Sequence, residues 1–100
     1  MTIAKKINES ECVISISGRL TTITSSDLEQ ELKSENLIER INSLSLDFAN
    51  LDYISSSGLR IVLWANKILS KKGGLKIVNA SKEIKDIFEV TGFSNILKIE

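Results

Sequence analysis

Two hydrophobic periodicities alternate along this chain, and their order leaves few folds open. Residues 2–7 and 12–17 read as two short strands: in the second, Ile14 and Ile16 alternate with Ser15 and Ser17, which leaves one face wet. Asn8-Glu9-Ser10-Glu11 is a polar connection of hairpin length, and Gly18 is expected to end the second strand. Thr24, Ser25, Ser26 and Asp27 then offer N-cap and first-turn residues. Leu28 and Leu32 stand one turn apart, and Leu37, Ile38 and Ile41 follow, which predicts a helix from about residue 25 to 38 or a little beyond. Residues 44–48 alternate again as a third strand. After residues 54–58, apolar positions 59, 62, 63, 65 and 69 recur at helical spacing. Lys71 and Lys72 supply cations suited to the end of that helix, and Gly73-Gly74 stops it. Residues 75–78 form a fourth strand; Ser81 caps a short helix with Ile84, Ile87 and Phe88, ended near Thr91-Gly92. Residues 96–99 close the chain as a last strand.

The order is ββαβαβαβ. Strand–helix–strand units place parallel strands side by side through right-handed crossovers, and the opening hairpin adds an antiparallel edge. This predicts an α/β fold: a mixed, mostly parallel sheet of four to five strands with three main helices packed on it. At 100 residues, with no repeat, linker or low-complexity tract, the chain reads as a single domain over residues 1–100.

Composition closes off several chemistries. There is no histidine, so no Ser-His-Asp or Cys-His pair and no HExxH zinc site can form. A lone Cys12 forms no intrachain disulfide and no thiolate cluster, reads as a small strand residue, and fits a reducing compartment. Zero net charge argues against broad binding to nucleic acid or to anionic membranes. The start carries lysines where a signal peptide needs its apolar run, and the stretch 61–65 is far short of the ~20 residues that span a bilayer. A cytoplasmic protein that inserts in no membrane is expected, with no metal and no cofactor. Serine, by contrast, occurs 14 times.

Three of those serines, Ser55, Ser56 and Ser57, stand between the third strand and its following helix. In open α/β sheets ligands gather at this end of the strands. A helix start offers free N–H groups and partial positive charge, which suits a phosphoryl group, while Gly58 leaves room for a close approach. The plainer reading, that the serines only cap the helix, stands beside it. Arg60 lies one turn on from Ser56, either as a partner for such a phosphate or as an ordinary solvated charge. Asp47 and Asp52 are too far apart to form an acid–base pair, and Trp64 reads as packed. A serine enzyme would need a Ser-Lys pair, and no lysine stands near the junction. No Gly-rich phosphate loop is present either, so the signal for nucleotide binding is weak and an enzyme is not expected.

The stretch Leu51-Asp52-Tyr53-Ile54-Ser55-Ser56-Ser57-Gly58-Leu59 resembles the signature of STAS domains, specifically of bacterial anti-sigma factor antagonists. Ser17-Gly18-Arg19-Leu20, Lys72-Gly73-Gly74-Leu75-Lys76-Ile77 and Ile87-Phe88-Glu89-Val90-Thr91-Gly92-Phe93 resemble further family segments, in the family's order. The resemblance implies a partner switch. The unmodified antagonist binds an anti-sigma factor that is also a serine kinase; phosphorylation releases it; a serine phosphatase restores it. By position the acceptor is Ser56, and the partner-binding surface is expected to use Thr21, Thr22, Thr24, Ser55, Ser57, Gly58 and Arg60, on a monomer or weak dimer. Two positions depart from the family pattern: Ser55 and Thr21 stand where relatives often carry Asp. Many relatives also continue past the position of Glu100 into another helix. The alternative is a constitutive STAS module, a subunit of a lipid-transport ABC system or a signalling scaffold, using the same surface without phosphate.

Overall fold

The computed structural model describes residues 1–100. Its sheet has five strands in sequential order: β1 (Thr2–Asn8), β2 (Glu11–Leu20), β3 (Ser43–Ile54), β4 (Gly74–Val78) and β5 (Lys98–Ile99). β1 is antiparallel to β2 and the remaining neighbours are parallel. The helices are α1 (Ser25–Lys33), α2 (Leu37–Arg40), α3 (Ser56–Leu69) and α4 (Lys82–Val90). Three right-handed crossovers that each advance one strand lay their helices on the same face of the sheet. Cys12, Ile14, Ile16, Leu44, Leu46, Phe48, Leu75 and Ile77 are buried toward that face against Leu28, Val62, Leu69 and Phe88, in one apolar cluster. The intervening Ser15, Ser17, Ser45, Asp47 and Lys76 are half-buried on the other face, which no helix covers. The mixed α/β sheet with three main helices is therefore as expected from the order of elements.

Four local expectations are corrected. Gly18 does not end β2. It sits inside the strand with φ +99°, and a Cβ there would come within 3.2 Å of the Met1 backbone. The third strand runs past residue 48 to Ile54 because β3 carries two irregularities against β2: Ser15 pairs with Asp47 but Ser17 with Asn50, and Gly18 with Leu51 but Arg19 with Tyr53. Each adds one residue to β3, so its buried positions 44, 46, 48, 51 and 54 change spacing from two to three. Asp47 supports the first irregularity: its Oδ1 accepts from the Ala49 N–H at 3.0 Å and from Asn79 Nδ2 at 3.1 Å.

The helix read over 25–38 is two helices. A 3-10 turn over Ser34–Asn36 interrupts it, with Glu35 and Asn36 in the left-handed region at φ 52° and 58°. The gap from Leu32 to Leu37 is five residues, which overshoots one turn; the break brings Leu37, Ile38 and Ile41 back onto the core. The last strand is shorter than 96–99. Ile96 and Leu97 donate back to the Phe93 carbonyl in a turn, which leaves only Lys98 and Ile99 to pair with β4.

Lys72 also departs from expectation. Its ammonium does not serve the end of α3 but bonds the carbonyls of Glu39 at 2.6 Å and Ile41 at 3.1 Å, closing the end of α2. The Gly73 N–H donates to the Asn42 carbonyl at 2.8 Å beside it. Lys72→Met keeps the aliphatic stem and removes both bonds. Because the ammonium is partly exposed, the expected cost is about 1 kcal/mol, at the low end for bonds to a charged group. Thermal melts should show a fall of roughly 4–8 °C for a domain of this size; an unchanged melt would mean water replaces the contact at no cost.

Candidate functional site

β3 hands the chain to α3 at its carboxyl end through a single residue, Ser55. Its backbone is extended (φ −86°, ψ 170°), which puts its Oγ where the Gly58 N–H donates to it at 3.1 Å. The Leu59 N–H donates to the Ser55 carbonyl at 2.9 Å. Ser55 is therefore the N-cap, 7% exposed. Its own N–H donates to the Leu20 carbonyl at 2.8 Å, which joins this turn to the end of β2. The three serines thus divide: Ser55 is engaged and buried, Ser56 at the first helical position is exposed, and Ser57 is half-buried. No acidic residue lies in the first turn of α3. The partial positive charge of the helix start is uncompensated there.

Gly58 faces inward. A Cβ at this position would come within 2.9 Å of Leu20 Cδ2 and 3.0 Å of Ile54 Cγ1. Its missing side chain lets the first turn of α3 sit down on β2 and β3; it does not open a place for a partner. Arg60 is exposed on the helix and forms no ion pair with a protein carboxylate.

The loop 21–24 lies beside this turn, since Leu20 precedes it. Its side chains hold it closed. The Thr21 N–H donates to Thr24 Oγ1 at 2.7 Å, the Thr24 N–H to Thr21 Oγ1 at 3.1 Å, and the Thr24 hydroxyl to the Arg19 carbonyl at 2.7 Å. The Ser25 hydroxyl donates to the Thr21 carbonyl. Thr24 precedes α1 without capping it by its side chain, because that hydroxyl is already committed to the loop. Of the predicted contact residues, Thr22, Ser56 and Arg60 are exposed, Thr21, Thr24 and Ser57 are half-buried, and Ser55 and Gly58 are buried.

Two features of this end escaped the sequence reading. Ile23 projects from the loop 82% exposed. Tyr53, at the end of β3, carries the Arg19 guanidinium 4.6 Å from its ring centroid. The only signal for Ile23 was one apolar residue stranded among threonines, outside any period.

A depression of about 470 Å³ lies at the other end of the sheet among the starts of β2, β3 and β4, lined by Glu11, Val13, Ser45, Lys76 and Ile96. It is remote from the serine turn. No buried side-chain polar atom anywhere lacks a hydrogen-bond partner, and no group of histidine, cysteine, aspartate and glutamate side chains converges as a metal site would. No helix is long and apolar enough to cross a membrane.

Residues 2–100 match the STAS domain family. A Bordetella bronchiseptica protein, BtrV, described as an anti-sigma factor antagonist, is 32% identical over 85 residues, covering 84% of this chain and 72% of that protein. The anti-sigma-B factor antagonist of Bacillus subtilis is 28% identical over 95 residues, covering 94% of this chain and 85% of that protein. Among solved structures, the anti-sigma factor antagonist SpoIIAA of Bacillus in its unphosphorylated form superposes with a TM-score of 0.83 at 17% identity, over 99% of this chain and 88% of that one.

Proposed function

Because the chain belongs to the STAS domain family, we propose that it works as an anti-sigma factor antagonist in the cytoplasm, switched by phosphorylation of Ser56. The observation that carries this reading is the division of labour at the turn: Ser55 caps α3, so Ser56 is left exposed at the helix start with its hydroxyl unengaged by the cap. In this reading the unmodified surface around Thr22, Ser56, Ser57 and Arg60 packs against an anti-sigma factor that is also a serine kinase. The kinase transfers the γ-phosphoryl group of ATP to Ser56 Oγ, and a serine phosphatase hydrolyses it off. Phosphate adds about −1.5 to −2 charges and three acceptor oxygens. Within the free domain the helix start accommodates that charge. Against a packed partner it is bulk and unpaired charge, which opposes binding. Relatives named as anti-sigma factor antagonists support the reading, as does a SpoIIAA structure in the phosphorylated form. That Ser55 replaces the family's frequent Asp is consistent with the switch, since Ser caps the helix as Asp does.

The test is to isolate the protein from its own cells and map its phosphate by mass spectrometry, in wild type and Ser56→Ala. One phosphate on Ser56, absent in the variant, is expected. A protein never phosphorylated while it still binds its partner would favour the constitutive STAS module instead, and a phosphate on another residue would remove Ser56 as the switch.

A further inference from the structure

The hydroxyls that the loop 21–24 seemed to offer a partner are largely engaged within the loop. Thr21 and Thr24 bond each other and the Arg19 carbonyl, and the Ser26 hydroxyl donates to the Ile23 carbonyl at 2.8 Å. What the loop presents outward is Thr22 and Ile23. Ile23 is 82% exposed on a segment braced on both sides by side-chain hydrogen bonds and tied to the serine turn through the Ser55–Leu20 contact. A large apolar side chain on a rigid, hydrogen-bonded loop gains nothing from folding. The backbone that carries it is already held by these bonds, so little loop-ordering entropy opposes a contact.

We propose that Ile23 is the apolar anchor of the switch surface, a knob that fills a pocket on the anti-sigma factor serine kinase. This rests on the function proposed above and names how that partner is held. Position separates Ile23 from most of the other exposed apolar residues, and Met1, which lies beside Gly18 near the carboxyl end of β2, is only 38% exposed. Ile7 and Val13 lie by the opening hairpin, and Val90 and Ile96 lie between the end of α4 and β5, all at the amino end of the parallel strands. Ile23 shares the carboxyl end with Ser56, and with Tyr53 beneath the Arg19 guanidinium. Aromatic and arginine side chains are enriched in energetically dominant contacts, and this end of the sheet carries both in the Arg19–Tyr53 pair. The same placement explains a switch by one phosphate: charge added at Ser56 falls beside the contact that must stay dry.

The kinase that wild-type protein retains from extracts of its own cells is identified by mass spectrometry and purified. It is then titrated calorimetrically with wild type, Ile23→Ala, Ile23→Asp and Val90→Ala, and each is assayed as a phosphorylation substrate. Ile23→Ala should weaken binding about tenfold or more, Ile23→Asp about a hundredfold, and Val90→Ala less than twofold. Ile23→Ala should raise KM for phosphorylation and leave kcat unchanged, as loss of a contact made equally before and during transfer does. Affinities of both Ile23 variants within twofold of wild type, or equal losses for Ile23→Ala and Val90→Ala, overturn the anchor while Ser56 phosphorylation leaves the proposed function standing. If wild type retains no kinase, the proposed function falls and takes the anchor with it.

Discussion

Ser56→Glu should bind the purified kinase about a hundredfold or more weakly than wild type while its melting temperature stays level or rises. The two signs come from one place. In the free domain residue 56 is exposed at the first helical position, the first turn of α3 holds no acidic side chain, and the cap is made by Ser55. A carboxylate there meets the positive end of the helix, which favours it by about 0.3–1 kcal/mol at low salt. In the proposed complex the same carboxylate would be pressed against the partner, and a charge left buried there beyond the reach of Arg60 costs on the order of 3–5 kcal/mol. That range corresponds to roughly two to four decades in affinity. Ser56→Ala separates charge from shape. It removes the hydroxyl, leaves the Ser55 cap untouched, and should bind like wild type. Calorimetric titration with thermal melts of all three proteins decides the matter. A Ser56→Glu protein that binds as wild type would show that charge at this helix start does not control the surface. One that binds weakly but melts much lower would attribute the loss to unfolding.

The parts of this molecule legible in sequence are those set by local periodicity and capping. The alternation of strand and helix patterns was enough for the mixed sheet, because each crossover has one favoured hand. Ser81 was readable as a cap because a short hydroxyl before an apolar helical run has few other uses, whereas capping was open to any of Ser55, Ser56 and Ser57; Ser55 and Ser81 both accept from the N–H three residues on. The failures share a cause, pairing between distant segments. β3 was cut at residue 48 because two added residues, placed by register against β2, shift its buried positions out of period two. Lys72 was assigned to its own helix because the carbonyls it bonds belong to α2 and the residue that follows it, more than thirty residues back in sequence. At the site, the hydroxyls of Thr21 and Thr24 looked available because nothing local says that a loop will close on itself. Gly58 was read as an opening for a partner, whereas the contact that excludes a side chain there is internal.

That contact sets up the largest stability effect expected at the site. Leu20, fully buried at the end of β2, fills the space over Gly58, and Leu20→Ala should cost about 2–5 kcal/mol as a buried large-to-small change. Gly58→Ala alone meets two opposed terms. Alanine is the better helix former by about 1 kcal/mol. Its Cβ, however, would sit 2.9 Å from Leu20 Cδ2 and 3.0 Å from Leu20 Cγ, closer than carbon atoms approach without displacement. Overpacking of this kind costs about 1–3 kcal/mol, so the single change should be neutral to destabilising. In the Leu20→Ala background both Leu20 contacts are gone and only Ile54 Cγ1, at 3.0 Å, still crowds the new Cβ, so the same Gly58→Ala change should cost less than in wild type. Contacting residues with this kind of steric conflict couple by about 0.5–3 kcal/mol. Denaturant melts of wild type, both single variants and the double variant measure the coupling. Simple additivity would mean that Leu20 moves aside freely and does not seat the first turn of α3. If Leu20 does seat it, Gly58→Ala should also weaken kinase binding in the wild-type background, because pushing that turn off β2 displaces Ser56 relative to Ile23. Binding should recover less than stability does in the double variant, since the alanine at position 20 no longer fixes where the turn rests.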